Sequence, residues 1–228
     1  MSDQREEPAT TIVIFGDFNC PFSALANSRA SRLADAGEVS VEWRCVEHDP
    51  SIGPRETPLT DRQRAGFESE LAQIRALLTA SEHDRLRVPS RRLNTRDLNL
   101  IYAATPPAER HALRTALFDA IWSDDLDLTD DAVIDAITDS LASLTSPDPD
   151  GRHLETAATA ARTVATWQGQ WRDHPRPIVP SMVMPHGTVS RGLGALARLA
   201  VVPSPCPPRD EPAADDDPCH RARTIREE

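Results

Sequence analysis

Strand-forming patterns occur near the two ends of this 228-residue sequence and nowhere between. Thr11-Ile12-Val13-Ile14-Phe15 is a continuous β-branched and aromatic run, the pattern of a strand covered on both faces. Val39 to Val46 alternates and is rich in strand formers. After that, strand patterns return only at Ser181–Met184 and near Thr188–Ser190, where Pro185-His186-Gly187 predicts the turn of a hairpin. A helical pattern from Pro21 to about Ala36, with Gly37 suited to the C′ position, separates the first two strands. A crossover of that length favours parallel pairing and puts helices on the sheet faces.

The long middle follows the helical period. Phe67, Leu71, Ile74 and Leu78 share one face over residues 61–80. Asn94 and Asp97 form a capping pair for a helix through Leu98, Ile101 and Tyr102. Pro106-Pro107 opens a helix carrying Leu113, Leu117, Ala120 and Ile121, and Thr129 is read as the cap of one carrying Val133, Ile137, Leu141 and Leu144. An alanine-rich helix over about His153–Trp171 and a short one over Leu193–Leu199 complete the pattern. The order β-α-β, helical block, α-β-β-α predicts an α/β layer in two pieces, residues 11–57 and 148–202, with an all-helical domain inserted at 58–147. Residues 1–10 read as a flexible lead-in. Residues 203–228, acidic and Pro-rich with almost no apolar content, read as a disordered tail.

Composition removes several mechanisms. All 25 basic residues are arginine, so Schiff-base, pyridoxal phosphate and P-loop chemistries lack the lysine they require. A net charge of −11 argues against affinity for nucleic acid or an anionic membrane. The hydrophilic Met1–Thr11 stretch resembles neither a signal peptide nor an anchor, and no apolar run is long enough to span a bilayer, so the expectation is a cytoplasmic protein. Thiols stay reduced there, and cysteines read first as reactive, metal-binding or buried. No metal site is expected: Cys206, Cys219 and His220 fall short of four ligands, and no Cys-x-x-Cys or His-Glu-x-x-His is present.

One tetrapeptide carries chemistry. Cys20-Pro21-Phe22-Ser23 follows a buried strand and opens a helix. A cysteine at a helix N-terminus faces unpaired backbone N–H groups and the positive end of the helix dipole, which favour the thiolate and predict a lowered pKa. Pro21 stands where a helix tolerates proline, and Ser23 is placed to turn its hydroxyl toward the sulfur.

The stretch Phe15-Gly16-Asp17-Phe18-Asn19-Cys20-Pro21-Phe22-Ser23 resembles the active-site segment of DsbA-like proteins of the thioredoxin fold. The subgroup it most resembles is that of FrnE-like oxidoreductases, kappa-class glutathione transferases and 2-hydroxychromene-2-carboxylate isomerases. Three features agree with this: the helical insertion after the second strand, Arg92-Leu93-Asn94-Thr95-Arg96-Asp97, and Ile178-Val179-Pro180-Ser181-Met182-Val183. The resemblance covers about residues 11–200 and implies a cis Pro180 facing Cys20. The Val179 backbone would then align a disulfide or small thiol. By the same resemblance Asn94 and Arg96 contact a substrate or thiol ligand, though capping explains Asn94 as well. Asp17 either tunes the thiol or caps its turn.

One departure limits the reaction. The dithiol members have a second cysteine where this chain has Ser23, and that thiol resolves the mixed disulfide. The transferases and isomerases carry serine where Cys20 stands and use bound glutathione. Three functions therefore stand side by side. The first is a thiol–disulfide oxidoreductase with Cys20 as nucleophile, resolved by an external small thiol. The second is a thiol-dependent transferase or isomerase, and the third a binding member without catalysis. No tightly bound cofactor is implied; glutathione or another low-molecular-weight thiol is the expected co-substrate. A small-molecule thiol or disulfide is the expected partner, with a homodimer as the self-association considered. Cys45 is read as a buried mid-strand residue, Cys206 and Cys219 as incidental tail residues or mobile resolving thiols, and His48 and His186 as surface residues.

Overall fold

The computed structural model describes residues 10–53, 57–144 and 157–201. Strand β1 (Thr10–Gly16) is followed by α1 (Pro21–Asp35) and β2 (Val39–Cys45). A two-residue strand β3 (Thr57–Pro58), α2 (Asp61–Leu77) and a second short strand β4 (Arg91–Arg92) come next. Then come α3 (Arg96–Ala104), α4 (Pro107–Trp122), α5 (Asp131–Leu144) and α6 (Ala157–Arg172), before β5 (Ser181–Val183), β6 (Val189–Arg191) and α7 (Leu193–Ala200). The expected lead-in and tail fall largely or wholly outside the described residues, as do Cys206, Cys219, His220 and the expected start of α6 at His153.

The main sheet runs β2-β1-β5-β6. β1 pairs parallel with β2 from Thr10↔Val39 to Gly16↔Cys45, and antiparallel with β5 through Phe15↔Ser181 and Ile14↔Met182. Its central place explains its continuous apolar run, since Ile12 and Ile14 are fully buried. The β5–β6 hairpin is as the sequence predicts, with Gly187 at φ +86° in its turn. Gly37, at φ +72°, ends α1 in a Schellman motif: its N–H donates to Ala34 O and that of Glu38 to Leu33 O. Gly16 answers a different need. A Cβ there would lie 2.1 Å from Trp43 Cζ2, so only glycine lets the indole close over the end of β1.

The helices pack onto the same core as the sheet. Phe18 and Trp43 join Leu71 and Ile74 of α2, Tyr102 of α3, and Phe118 and Trp122 of α4 in one buried cluster. Arg29 of α1 is buried within the fold, and all three nitrogens of its guanidinium are hydrogen-bonded. It reaches Glu82 at 2.7 Å through both Nε and one terminal nitrogen, Leu77 O at 2.7 Å and Leu196 O at 2.8 Å. Among the described residues no helix is long and apolar enough to cross a membrane.

Four local expectations are corrected or refined. The middle of the chain does contain strands: β3 and β4 pair antiparallel, Thr57↔Arg92 and Pro58↔Arg91. Neither dipeptide has strand composition, because so short a ribbon is imposed by its surroundings. Helix α3 has Thr95 at its N-cap position, although the Asn94 side chain caps its first turn by accepting the Arg96 N–H at 3.0 Å, and α5 is capped by Asp130, whose carboxylate accepts the Ala132 N–H at 2.9 Å. The Thr129 hydroxyl instead donates to Asp127 at 2.6 Å. Cys45 is the last residue of β2 rather than a mid-strand one.

Candidate active site

The chain leaves β1 through a tight turn in which the Cys20 N–H donates to Asp17 O at 3.1 Å. Cys20 is the N-cap of α1, with extended backbone (φ −121°, ψ 118°), and Pro21 takes the first helical position. The Cys20 carbonyl accepts the Ala24 N–H at 3.1 Å, which starts the helix. The Cys20 side chain makes no capping hydrogen bond, but the Ser23 amide and hydroxyl and the Phe22 amide favour its charged form, as expected at a helix start.

The expected drop in thiol pKa is nonetheless reversed. Cys20 is only 6 % exposed, and this burial pushes the thiol up to about 12. The hydrogen bonds from Ser23 and Phe22 pull the other way, but the nearby negative charge of Asp17 adds to the rise. The helix terminus is a local effect, whereas the desolvation comes from burial in the folded chain, and desolvation is larger.

Asp17 is buried at 1 % exposure, and its carboxylate is surrounded by donors. Oδ1 accepts from the Asn19 N–H at 3.0 Å and the Thr95 hydroxyl at 2.9 Å. Oδ2 accepts from the His48 N–H at 2.8 Å and lies 2.7 Å from His48 Nδ1. The Asp17 N–H itself donates to Ser23 Oγ at 3.3 Å, tying the turn to the helix. Burial works against the imidazolium of His48, but the hydrogen bond and charge of Asp17, with Asp49, outweigh it and raise its pKa above the ordinary value.

Cys20 opens onto a pocket of about 200 Å3. Pro21 and Asn19 flank the cysteine, and His48 and Arg92 form another side. The far wall is one stripe of α2: Gln63, Gly66, Phe67 and Glu70, the i, i+3, i+4, i+7 positions of a helix. Arg92 is ion-paired to Asp49. Glu70 makes no ion pair or hydrogen bond among the described residues; burial raises its pKa, with His48 and Arg92 partly offsetting the rise. Larger clefts of about 550 and 460 Å3 lie elsewhere, and no cysteine lines either one.

The structure brings Cys20, Pro21, Ser23 and Asp17 together, with Phe22 half-buried beside them. The Val179–Pro180 bond is cis. Continuing the Phe15↔Ser181 register places Pro180 beside Gly16, at the corner that Asp17 begins, although neither Val179 nor Pro180 lines the pocket. Asn94 and Arg96 serve elsewhere. Asn94 Nδ2 donates to Ile52 O at 2.7 Å, and Arg96 pairs with Glu47 at 2.9 Å, so both fasten the 47–52 loop to the start of α3. From the same segment Arg92 and Thr95 reach the site instead. Cys45 is fully buried with its thiol pushed up by burial, and His186 is exposed in the hairpin turn, as expected.

His48, Thr95, Arg92 and the α2 stripe were missed by the sequence reading. For His48 a signal existed. If β1 and β2 pair in parallel, the residues following Phe15-Gly16 and Cys45-Val46 emerge side by side, which sets His48 next to Asp17.

A family model for the DSBA-like thioredoxin domain matches residues 11–142. Among solved structures, one described as a probable DsbA oxidoreductase from Streptomyces coelicolor superposes with a TM-score of 0.61 at 19% identity, covering 91% of this chain and 97% of that one. A 2-hydroxychromene-2-carboxylate isomerase superposes at 0.55 with 17% identity, covering 84% of this chain and 92% of its own. At such identities the likeness speaks for the fold alone. No curated protein matches the chain.

Proposed function

Because the chain belongs to the DSBA-like thioredoxin family, we propose that it is a thiol–disulfide oxidoreductase that works with one active-site thiol. One observation carries the reading: Cys20 is the N-cap residue of α1 and lines a small pocket, with Ser23 in the first turn favouring its thiolate. The Cys20 sulfur attacks a small-molecule disulfide and forms a mixed disulfide. Ser23 cannot resolve it and Cys45 is sealed in the core; an external low-molecular-weight thiol such as glutathione releases it. The Val179 backbone and Pro180 align the disulfide from the neighbouring corner. A reducing compartment such as the cytoplasm supplies the releasing thiol.

The test is intact-protein mass spectrometry after exposure to oxidised glutathione. The wild-type chain should gain a glutathionyl adduct that added thiol removes, and Cys20→Ser should not gain it at that position. Equal adduct in both chains refutes the reading.

A second reading has its own support, in the burial that keeps Cys20 a neutral thiol. A bound small thiol would then act as the nucleophile in the pocket, adding to an electrophilic substrate, with α2 forming the pocket wall. It requires saturable thiol binding and turnover without net redox change in the Cys20→Ser chain.

A further inference from the structure

The Asp17–His48 pair has no part in the exchange step as written above, yet its geometry is tightly specified. The Asp17 side chain is 2 % exposed, and its two oxygens already accept the Asn19 N–H, the His48 N–H and the Thr95 hydroxyl. What remains for the imidazole is one arrangement: Nδ1 donates its proton to Oδ2 at 2.7 Å. That leaves Nε2 as the nitrogen free to exchange protons, and it makes no hydrogen bond among the described residues. The ring is a third exposed and forms part of the same pocket that Cys20 lines.

A further sign comes from α3. Thr95 is the N-cap residue of that helix, yet its hydroxyl makes no capping bond and is given to Asp17. The first free N–H of that helix, that of Arg96, is taken by Asn94 Oδ1 at 3.0 Å, which leaves the Thr95 hydroxyl to the carboxylate that orients His48. A carboxylate that fixes an imidazole in a pocket also lined by a thiol supplies an orienting group, a base and a nucleophile to one site.

We propose that His48 is the proton-transfer residue of the Cys20 site, with Asp17 and Thr95 as its positioning residues. The proposal rests on the thiol-exchange reading and adds the step that burial of Cys20 makes necessary. A thiol buried at the edge of a pocket has little thiolate standing ready, so its proton must leave as the sulfur attacks. As the Cys20 sulfur bonds to the near sulfur of a disulfide R–S–S–R′, its proton passes to His48 Nε2. The electron pair of the broken S–S bond leaves with R′–S⁻, which takes that proton from Nε2 and departs as R′–SH. The products are Cys20–S–S–R and R′–SH, so protons and electrons balance without another oxidant. Four charged groups face the imidazole: Asp17 beside it, Asp49 next in the chain, Arg92 of β4 and Glu70 of α2.

The experiment uses the full chain with Cys206→Ser and Cys219→Ser, and bis(2-hydroxyethyl) disulfide as probe. The rate of adduct formation at Cys20 is followed by intact mass from pH 5.5 to 9.5. His48→Gln should slow the reaction at pH 7 by roughly a hundredfold or more and move the rising limb to higher pH. In His48→Ala, added imidazole should restore part of the rate. Asp17→Asn should move the limb to lower pH, since it removes the charge that favours the imidazolium. The parent chain should react more slowly in D2O, a measurement that needs no further variant to fold. A His48→Gln chain with the parent rate and profile overturns the proposal. So does a slowed chain with an unmoved limb and no rescue by imidazole, or a parent rate equal or faster in D2O. Cys20→Ser separates the two levels. If it forms the adduct as well as the parent, the exchange reading itself fails; if it does not, and His48→Gln is unaffected, only the role of His48 fails.

Discussion

Replacing Glu82 by glutamine should cost about 3 kcal/mol of stability at neutral pH, and the cost should vanish in acid. Glu82 is 10 % exposed, and its two oxygens each lie 2.7 Å from the buried Arg29 guanidinium. The hydrogen bonds from Arg29 pull the carboxyl from 4.5 down to about 2; burial opposes this, and the Thr79 N–H and the charge of Arg29 reinforce it. At about 1.4 kcal/mol per pKa unit, a depression of that size corresponds to roughly 3 kcal/mol of folding free energy. A group whose pKa is lowered by folding contributes fully above its unfolded value. Its contribution should therefore be complete above about pH 4.5 and fade as the pH falls toward 2. Glutamine retains one acceptor oxygen, presents an amide where the second stood, and leaves a buried cation without its counter-charge. For a chain of this length the loss corresponds to a fall in Tm of about 6–12 °C. Urea unfolding of both chains at pH 7, 4.5 and 3 measures it. A difference under about 1 kcal/mol at pH 7, or one that is the same at pH 3, refutes the argument.

Two further perturbations follow from close contacts. Gly16→Ala places its Cβ against the Trp43 indole, which cannot yield without disturbing Phe118 and Arg114 packed on it, so a loss of about 1–3 kcal/mol is expected in denaturant unfolding. Gly66→Leu should separate stability from reactivity. A Cβ at Gly66 meets nothing within 4 Å, and leaving glycine inside α2 should gain up to about 1 kcal/mol, while the side chain fills the pocket and slows alkylation of Cys20 by iodoacetamide. Alkylation at the wild-type rate would show that reagents reach Cys20 by another path.

Features set by neighbours in sequence were legible. The strand at Thr11–Phe15, the proline-opened helix after Cys20, the glycine at position 37 and the Pro185–Gly187 turn each depend on a few adjacent residues, and all occur as expected. The cis bond before Pro180 was carried by the resemblance. Features set by distant residues were not legible. The Cys20 thiol is governed by burial that local sequence does not encode, so reasoning from the helix N-terminus alone gave the wrong direction. His48 acquires its place from Asp17, 31 residues earlier, and Thr95 from the same carboxylate 78 residues away. Phe67, Leu71, Ile74 and Leu78 were legible as one apolar helical face, but nothing in Gln63, Gly66 or Glu70 marked them as lining the pocket.

The active-site turn hangs from the helical insertion at two points. Thr95 at the start of α3 donates to the Asp17 side chain, and the Trp122 indole near the end of α4 donates to Phe18 O at 2.8 Å, both in buried surroundings. The stretch from Asp17 to Ser23 is therefore not a portable cassette. Grafted onto a thioredoxin scaffold that lacks these helices, it would bring the cysteine but strand a carboxylate and a carbonyl without their donors. The reverse also holds. The helical block and the residues just ahead of Cys20 are thus tied to each other, and the position of the sulfur depends on helices far along the chain.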